Sequence, residues 1–371
     1  MARTIGIGYQ NFEQLLTNHH LYIDKTKFIR EWWENGDQVT LITRPRRFGK
    51  TLNMSMLEQF FSVKYAGSRN LFEGLAIGAD EKYRGLQGTY PVIFLSFAGV
   101  KATSYRNMRK TICRLIADEY ARNAFLLEGD CLTGQQKATF RRKTVEMEDV
   151  DAVSALNQLS EYLYLYYGKR VIILLDEYDT PLQEAYVGGF WEELTAFTRG
   201  LFNLTFKTNP YLERAVMTGI TRVSKESVFS DLNYLDKRRF STYWANTSSN
   251  SLAGKLIREG SRKTKLVMED LLEGKILHTE LDEQIVYSQL DDRESAVWSL
   301  LLASGYLRVK KYLFLEEWGR EVYDLVLTNK EVRVMFERMI RDWFDGNGSV
   351  YNDFVDALLR DNKKEMNVYM N

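Results

Sequence analysis

The residues that say most about chemistry are Arg44 to Thr51, which read R-P-R-R-F-G-K-T between "VTLIT" and "LNMSMLEQF". A phosphate-binding loop has the form G-x-x-x-x-G-K-[ST], placed after a strand and before a helix. Gly49, Lys50 and Thr51 match that form, and Arg44 stands where the first glycine would be. Gly49 would let the backbone approach phosphates, with successive amides forming an anion nest. A helix beginning at Lys50 would add the partial positive charge of its N-terminus. Lys50 would reach the β- and γ-phosphates of a nucleotide, and Thr51 would ligate Mg²⁺. Arg44, Arg46 and Arg47 add positive charge, and Phe48 and Leu52 are counted with the loop as nucleotide-binding positions. The bland alternative is a basic turn with an accidental G-K-T.

A second element bears on that choice. "RVIILLDEYDTPL" is an apolar run ending in Asp176 and Glu177. A carboxylate at the carboxyl end of a strand, beside a phosphate loop, can hold Mg²⁺ or its water. Glu177 would then polarise an attacking water as general base. The competing explanation is a solvated acidic turn after a buried strand. The spacing from G-K-T leaves room for one intervening strand, which favours the functional explanation. Asp179 is open between a third acidic ligand and the cap of the following helix. A third element, "RAVMTGITRVSKES", ends a strand at Thr218-Gly219 and continues to Arg222 and Lys225. A polar or cationic residue there would sense the γ-phosphate or stabilise transition-state charge, or it is ordinary surface charge. Lys207 and Arg214 are weaker candidates of the same kind.

These residues need strands that end along one edge. "VTLIT" (39–43), "PVIFLSF" (91–97), "RVIILLD" (170–176) and "RAVMTGI" (214–220) are short apolar runs rich in β-branched residues. Such runs suit strands buried on both faces of a parallel sheet. Crossover helices fit between them. Met108, Ile112, Leu115, Ile116 and Tyr120 share one helical stripe, and "VSALNQLSEYLYLYYG" ends on Gly168 as a cap. Upstream, "LYIDKTKFIREWWENGD" reads as a short strand, then a helix from about Asp24 or Thr26 to Asn35-Gly36. The alternation of strand and helix predicts an α/β layer fold. The polar stretch "STYWANTSSNS" marks a joint, so the expected domains are 1–240 and 241–371. Within the second, "RESAVWSLLLASGYL" reads as a helix closed by Gly305, "KKYLFLEEWGREVYDLVLT" as a hairpin about Gly319, and "EVRVMFERMIRDWF" as a helix. Together they suggest a smaller, mainly helical, winged-helix-like module.

Composition bounds the rest. With 371 residues, 45% hydrophobic and 4 prolines, the chain is long enough for two or three packed domains and unlike a disordered one. The 50 Lys+Arg and 50 Asp+Glu cancel, which argues against a surface built as a whole for nucleic acid. Cys113 and Cys131 cannot make a disulfide scaffold, and with three histidines they are too few for the usual zinc sets. No run reaches the roughly 18 apolar residues of a membrane helix. The opening "MARTIGIGYQNFEQLL" lacks the apolar core of a signal peptide. A soluble cytoplasmic protein is the expectation. His19-His20 reads as an exposed turn, and the tyrosines at 162, 164, 166 and 167 as packing rather than a base-stacking platform.

The chain resembles the bacterial AAA-ATPase-like family. The strings that carry the resemblance are "GYQNFEQLLTNHHLYIDKTKFI", "LITRPRRFGKTLNMSML", "VIFLSF", "VIILLDEYDTPL", "MTGITRVSKESVFSDLN", "YWANTSSNSL", and "LLLASGYL" with "LTNKEVRVMFERMI". Members tolerate arginine at the first loop position. The resemblance implies a P-loop NTPase fold that takes ATP and Mg²⁺. Gly49, Lys50 and Thr51 would bind nucleotide, and Asp176 and Glu177 would serve the metal and the water. Members often carry a C-terminal restriction-type nuclease domain, which would begin about where this sequence stops. In the family a further strand and a helical lid separate "SDLN" from "YWANTSS", whereas here only "YLDKRRFST" does.

The leading expectation is an ATP-binding, Mg²⁺-dependent ATPase acting as a switch or motor, in a nuclease-linked system. The rival is a non-hydrolysing scaffold whose C-terminal module binds a protein partner or DNA, or self-associates. Against DNA, "LEEWGREVYDL" is acidic where a wing touching phosphate should be basic. A small-molecule kinase ranks last, for want of an acceptor-site signature.

Overall fold

The computed structural model describes residues 8–43, 49–220, 250–281, 293–315 and 320–345, with the single positions 4, 6 and 290. The chain divides into two compact units, residues 1–239 with 282–304, and residues 240–281 with 305–371. The sequence grouping joins the helix before Gly305 to the hairpin. The division places that helix, Glu294–Ala303, with the first unit.

The first unit is built on β1 (Val39–Thr43), β2 (Val92–Ser96), β3 (Val171–Asp176) and β4 (Leu212–Gly219), all parallel in the order β1-β4-β3-β2. The four apolar runs in the sequence are these strands, to within a residue or two at their ends. β3 is buried along its whole length, as a central strand covered on both faces must be. Its pleat splits its side chains between two layers. Ile172 and Leu174 join Met54, Met56, Leu57, Phe60 and Phe61 in one apolar cluster. Ile173 and Leu175 point to the opposite face and are equally buried. The Met54, Met56 and Leu57 side chains belong to the helix Lys50–Phe61, which follows β1.

Three longer helices, Tyr105–Arg122, Asp149–Tyr167 and Trp191–Phe202, pack on one another. On the first, Met108, Ile112, Ile116 and Tyr120 are buried and Leu115 is half-buried. The Tyr120 hydroxyl donates to the Ala155 carbonyl at 2.8 Å and fixes the first helix to the second. Gly168 ends the second at φ 66°, where a side chain would be strained. Of its tyrosines, Tyr162 is buried and Tyr164, Tyr166 and Tyr167 are exposed.

The N-terminal segment departs from expectation at one point. The helix Lys27–Asn35 ends on a left-handed Gly36 as foreseen, but Leu21–Ile23 is not a strand. The Leu21 amide bonds the Thr4 carbonyl at 2.8 Å without a ladder. Side chains hold the segment instead. Asp24 accepts the Thr26 and Ala76 amides at 2.8 and 2.7 Å, and Thr26 accepts the Ile77 amide at 3.1 Å. Burial pushes the Asp24 carboxyl up, but these bonds together with the Thr26 hydroxyl outweigh it and hold the group below its ordinary range.

The second unit contains the helices Asn250–Glu259, Arg262–Leu272 and Lys330–Asp345 and a three-stranded antiparallel sheet. The hairpin strands are β6 (Leu307–Leu315) and β7 (Arg320–Leu327), and a short β5 (Leu277–Thr279) adds to β7. Sequence reading supplies the hairpin and misses β5, which is too short for an alternation to register. Among the described residues no helix is long and apolar enough to cross a membrane. The first unit has the α/β arrangement of a P-loop NTPase-like fold.

Candidate functional site

Because the four strands run parallel, their carboxyl ends share one edge of the sheet, where ligands bind in open α/β folds. The register sets which residues meet there. Thr43 lies opposite Gly219, and Ser96 opposite Asp176. Leu175 pairs with Met217, which brings Asp176 level with Thr218. β4 stands between β1 and β3 in space, whereas β2, which separates them in sequence, lies beyond β3.

After β1 the chain re-enters the described structure at Gly49, with φ 74° and ψ 21°. A residue other than glycine would be strained there by about 1–2 kcal/mol. Among the described residues no atom lies within 4 Å of the point where a Cβ would project. Gly49 is the N-cap of the helix Lys50–Phe61, whose first backbone bond runs from the Asn53 amide to the Gly49 carbonyl at 2.9 Å. The amides of Lys50, Thr51 and Leu52 precede that bond, so the helix offers them no acceptor. They form the positive end of the helix dipole. Lys50 is buried. The Leu52 side chain packs into the core beneath, which leaves only its backbone for a ligand.

The first turn of this helix meets the end of β3. The Thr51 hydroxyl donates to Asp176 Oδ2 at 2.8 Å. Ser96 Oγ donates to the same oxygen at 3.2 Å, and Thr218 Oγ1 donates to Oδ1 at 2.7 Å. Asp176 has no exposed surface, and a carboxylate so buried is tolerable when hydroxyl donors replace its water. Sequence reasoning does not single out Ser96, and it names Thr218 only as the end of the third element, not as a partner of Asp176. The available signal was that each is the hydroxyl residue closing an apolar run, "VIFLS" and "AVMT".

Glu177 follows at φ 50°, one of two described non-glycine residues with positive φ. Its amide donates to Thr218 Oγ1 at 3.1 Å, and its Oε2 accepts the Thr180 hydroxyl at 3.3 Å. Asp179 stands where the cap reading places it. It occupies the N-cap position of the helix Thr180–Gly188 but makes no side-chain cap bond. Its Oδ2 accepts the Ile220 amide at 2.9 Å and Gln183 Nε2 at 3.0 Å. Arg214 lies toward the other end of β4, with Nη1 on the Trp32 carbonyl at 3.2 Å and its guanidinium over the Trp33 ring. That is a packing role remote from the carboxyl edge.

The sequence-predicted Arg44, Arg46, Arg47, Phe48, Arg222 and Lys225 lie outside the described residues, as does the interval from Asn233 to Tyr243. Among those described, Gly49, Lys50, Thr51 and Asp176 come together, with Glu177 next to them. The donor set suits Mg²⁺: a hydroxyl and a carboxylate, both hard oxygen ligands, converge, and Mg²⁺ takes few protein oxygens and keeps several waters. Among the described residues no cluster of three or more His, Cys, Asp or Glu forms an all-protein metal cage.

Comparison with known proteins adds two findings. The family described as "Predicted AAA-ATPase" matches residues 6–229, which include every described residue of this site. An uncharacterized protein in the vnfD 5′ region of Azotobacter chroococcum mcd 1 is 27% identical over 236 residues, 63% of this chain and 40% of that protein. The chain therefore matches less than half the length of this relative. No solved structure matches.

Proposed function

The chain belongs to the predicted AAA-ATPase family, and from that premise we propose that its first unit binds ATP with Mg²⁺ and hydrolyses it, working as a switch or motor. The observation that carries the proposal is the Thr51 hydroxyl on the Asp176 carboxylate at 2.8 Å. It joins the amide-rich start of one helix to the acidic end of a neighbouring strand, the pairing that phosphoryl chemistry needs.

In this reading the amides from Gly49 to Leu52 and the Lys50 ammonium cradle the β- and γ-phosphates, with Arg44, Arg47 and Phe48 completing the loop. Thr51 and Asp176 hold Mg²⁺, which when bound neutralises charge on the phosphate oxygens. Glu177 orients water and takes its proton. It does so from a backbone already turned by the bonds to Thr218, so little rearrangement is needed at reaction. Arg222 responds to the γ-phosphate. The second unit is the place for a protein partner or self-association, with DNA a weaker alternative. Buried Cys113 is compatible with a cytoplasmic setting.

The test is calorimetric titration with ATP and Mg²⁺ alongside phosphate release, on wild type, Lys50→Ala and Glu177→Gln. Saturable binding lost in Lys50→Ala and turnover lost in Glu177→Gln are expected. Equal weak signals from wild type and Lys50→Ala would sink the site. Binding without turnover, unchanged by Glu177→Gln, would replace the enzyme with a nucleotide-binding scaffold.

A further inference from the structure

Asp179 has no part in the chemistry above, yet its side chain is 1% exposed. Burying a carboxylate is costly unless its oxygens are satisfied, so its bonds are informative. Oδ2 accepts the Ile220 amide at 2.9 Å and Gln183 Nε2 at 3.0 Å. Oδ1 lies against Gly219, where an added Cβ would sit 2.7 Å from it and 2.8 Å from Tyr178 Cε1. Only a residue without a side chain at 219 permits this approach.

The contact is one of a series. The Glu177 amide bonds Thr218 Oγ1 at 3.1 Å, and the Tyr178 amide bonds the Thr218 carbonyl at 3.0 Å. With Asp179 on Ile220, three consecutive residues of the acidic turn are fastened to the end of β4 on both sides of Gly219. Within this zip sits Glu177, at φ 50°. A left-handed non-glycine residue costs about 1–2 kcal/mol, and such strain persists only where the surroundings over-determine it.

We propose that Asp179 is a positioning residue: its buried carboxylate clamps the end of β4 to the acidic turn and so holds Glu177 in the left-handed conformation used for hydrolysis. The clamp acts on the orientation of Glu177, because the bonds that carry it join the acidic turn to the end of β4. Its catalytic consequence rests on the ATPase reading.

The experiment compares wild type with Asp179→Ala, Asp179→Asn and Gly219→Ala. Backbone hydrogen exchange without nucleotide reads the clamp directly. In Asp179→Ala the amides of Glu177, Tyr178 and Ile220 exchange about tenfold faster or more, the scale of one lost hydrogen bond. In Asp179→Asn an oxygen remains for the Ile220 amide, the Gln183 amide can turn to meet the new NH₂, and protection returns. The asparagine variant also covers the case in which alanine does not fold. Gly219→Ala keeps the carboxylate but drives it from its place, and it repeats the alanine result.

In turnover, Asp179→Ala and Gly219→Ala lower kcat about 10- to 100-fold, as misplacement of a catalytic group does, with KM and nucleotide Kd nearly unchanged. Asp179→Asn restores most of kcat. Unaltered exchange at Glu177 and Tyr178 in Asp179→Ala overturns the clamp. So does a loss of nucleotide affinity that matches the loss of kcat, or a failure of asparagine to rescue. If wild type binds nucleotide without turnover, the hydrolysis reading falls separately, and exchange at Glu177 and Tyr178 alone decides whether the clamp stands.

Discussion

Thr218 offers the most direct test of how the acidic edge is held. Its buried hydroxyl donates to Asp176 Oδ1 at 2.7 Å and accepts the Glu177 amide at 3.1 Å. Thr218→Val replaces that hydroxyl with a methyl group of similar shape, so the packing stays and both bonds go. A hydrogen bond onto a carboxylate contributes about 1.5–3 kcal/mol, and a stranded amide costs about 1–3 kcal/mol. Asp176 keeps its donors Thr51 and Ser96, and Glu177 is only half-buried, so water replaces part of the second bond. The combined loss is about 3 kcal/mol, toward the lower end of the sum of those ranges because two donors and water remain. For a domain of roughly 150–250 residues this lowers Tm by about 6–12 °C. Thr218→Ser keeps the hydroxyl and loses one methyl, about 0.8 kcal/mol, and should melt within about 2–4 °C of wild type. The assay is calorimetric or fluorescence melting at neutral pH, and it needs no nucleotide. Should valine melt with wild type, or serine fall as far as valine, the hydroxyl is not the bridge described above.

Two further predictions concern pH, and they run in opposite directions. The Asp24 carboxyl is held below its ordinary value, so the stability it contributes is present above about pH 4 and is lost as pH falls through its folded value. The stability difference between wild type and Asp24→Asn should be flat from neutral pH to about pH 5 and narrow on further acidification; a difference that widens in acid would contradict the assignment. Glu58 on the helix Lys50–Phe61 is pushed up by burial, against the pull of Lys64, with Glu119 adding to the rise. Glu119 is itself raised by burial despite its bond to Arg122. These two groups favour the folded state most below about pH 4, and that contribution is lost as pH rises through their folded values. Glu58→Gln should therefore gain on wild type as pH climbs toward neutrality, measured by denaturant midpoints, and a variant that loses ground over that range would refute the reading.

Much of the α/β layer was legible because apolar runs of β-branched residues have one main use in a soluble chain. "VIILLD" has no polar position until Asp176, and a strand with that pattern must be covered on both faces. The turn glycines Gly36, Gly49 and Gly168 were legible for a similar reason, since each sits where the chain needs a positive φ. Leu21–Ile23 has the apolar content of a strand, but side-chain bonds from Asp24 and Thr26 hold the segment after it in an irregular path. β5 left no trace because three residues are too few to show a period. For Asp179 the local sequence gives the N-cap position, whereas the bond to the Ile220 amide joins residues far apart along the chain and leaves no local signal.

Residue types and their order were enough to set out the available chemistry: a glycine, a lysine and a threonine at the mouth of a helix, and two carboxylates at the end of a strand. Residue type and spacing carry that information because loop, helix start and strand end are local events. Which groups share an oxygen depended on how the strands assemble. Strand order placed β4 beside β3, and register set Ser96 and Thr218 on either side of Asp176. Those contacts join residues 80 and 42 positions from Asp176, and no local pattern encodes pairings that arise only when the sheet closes over a common core.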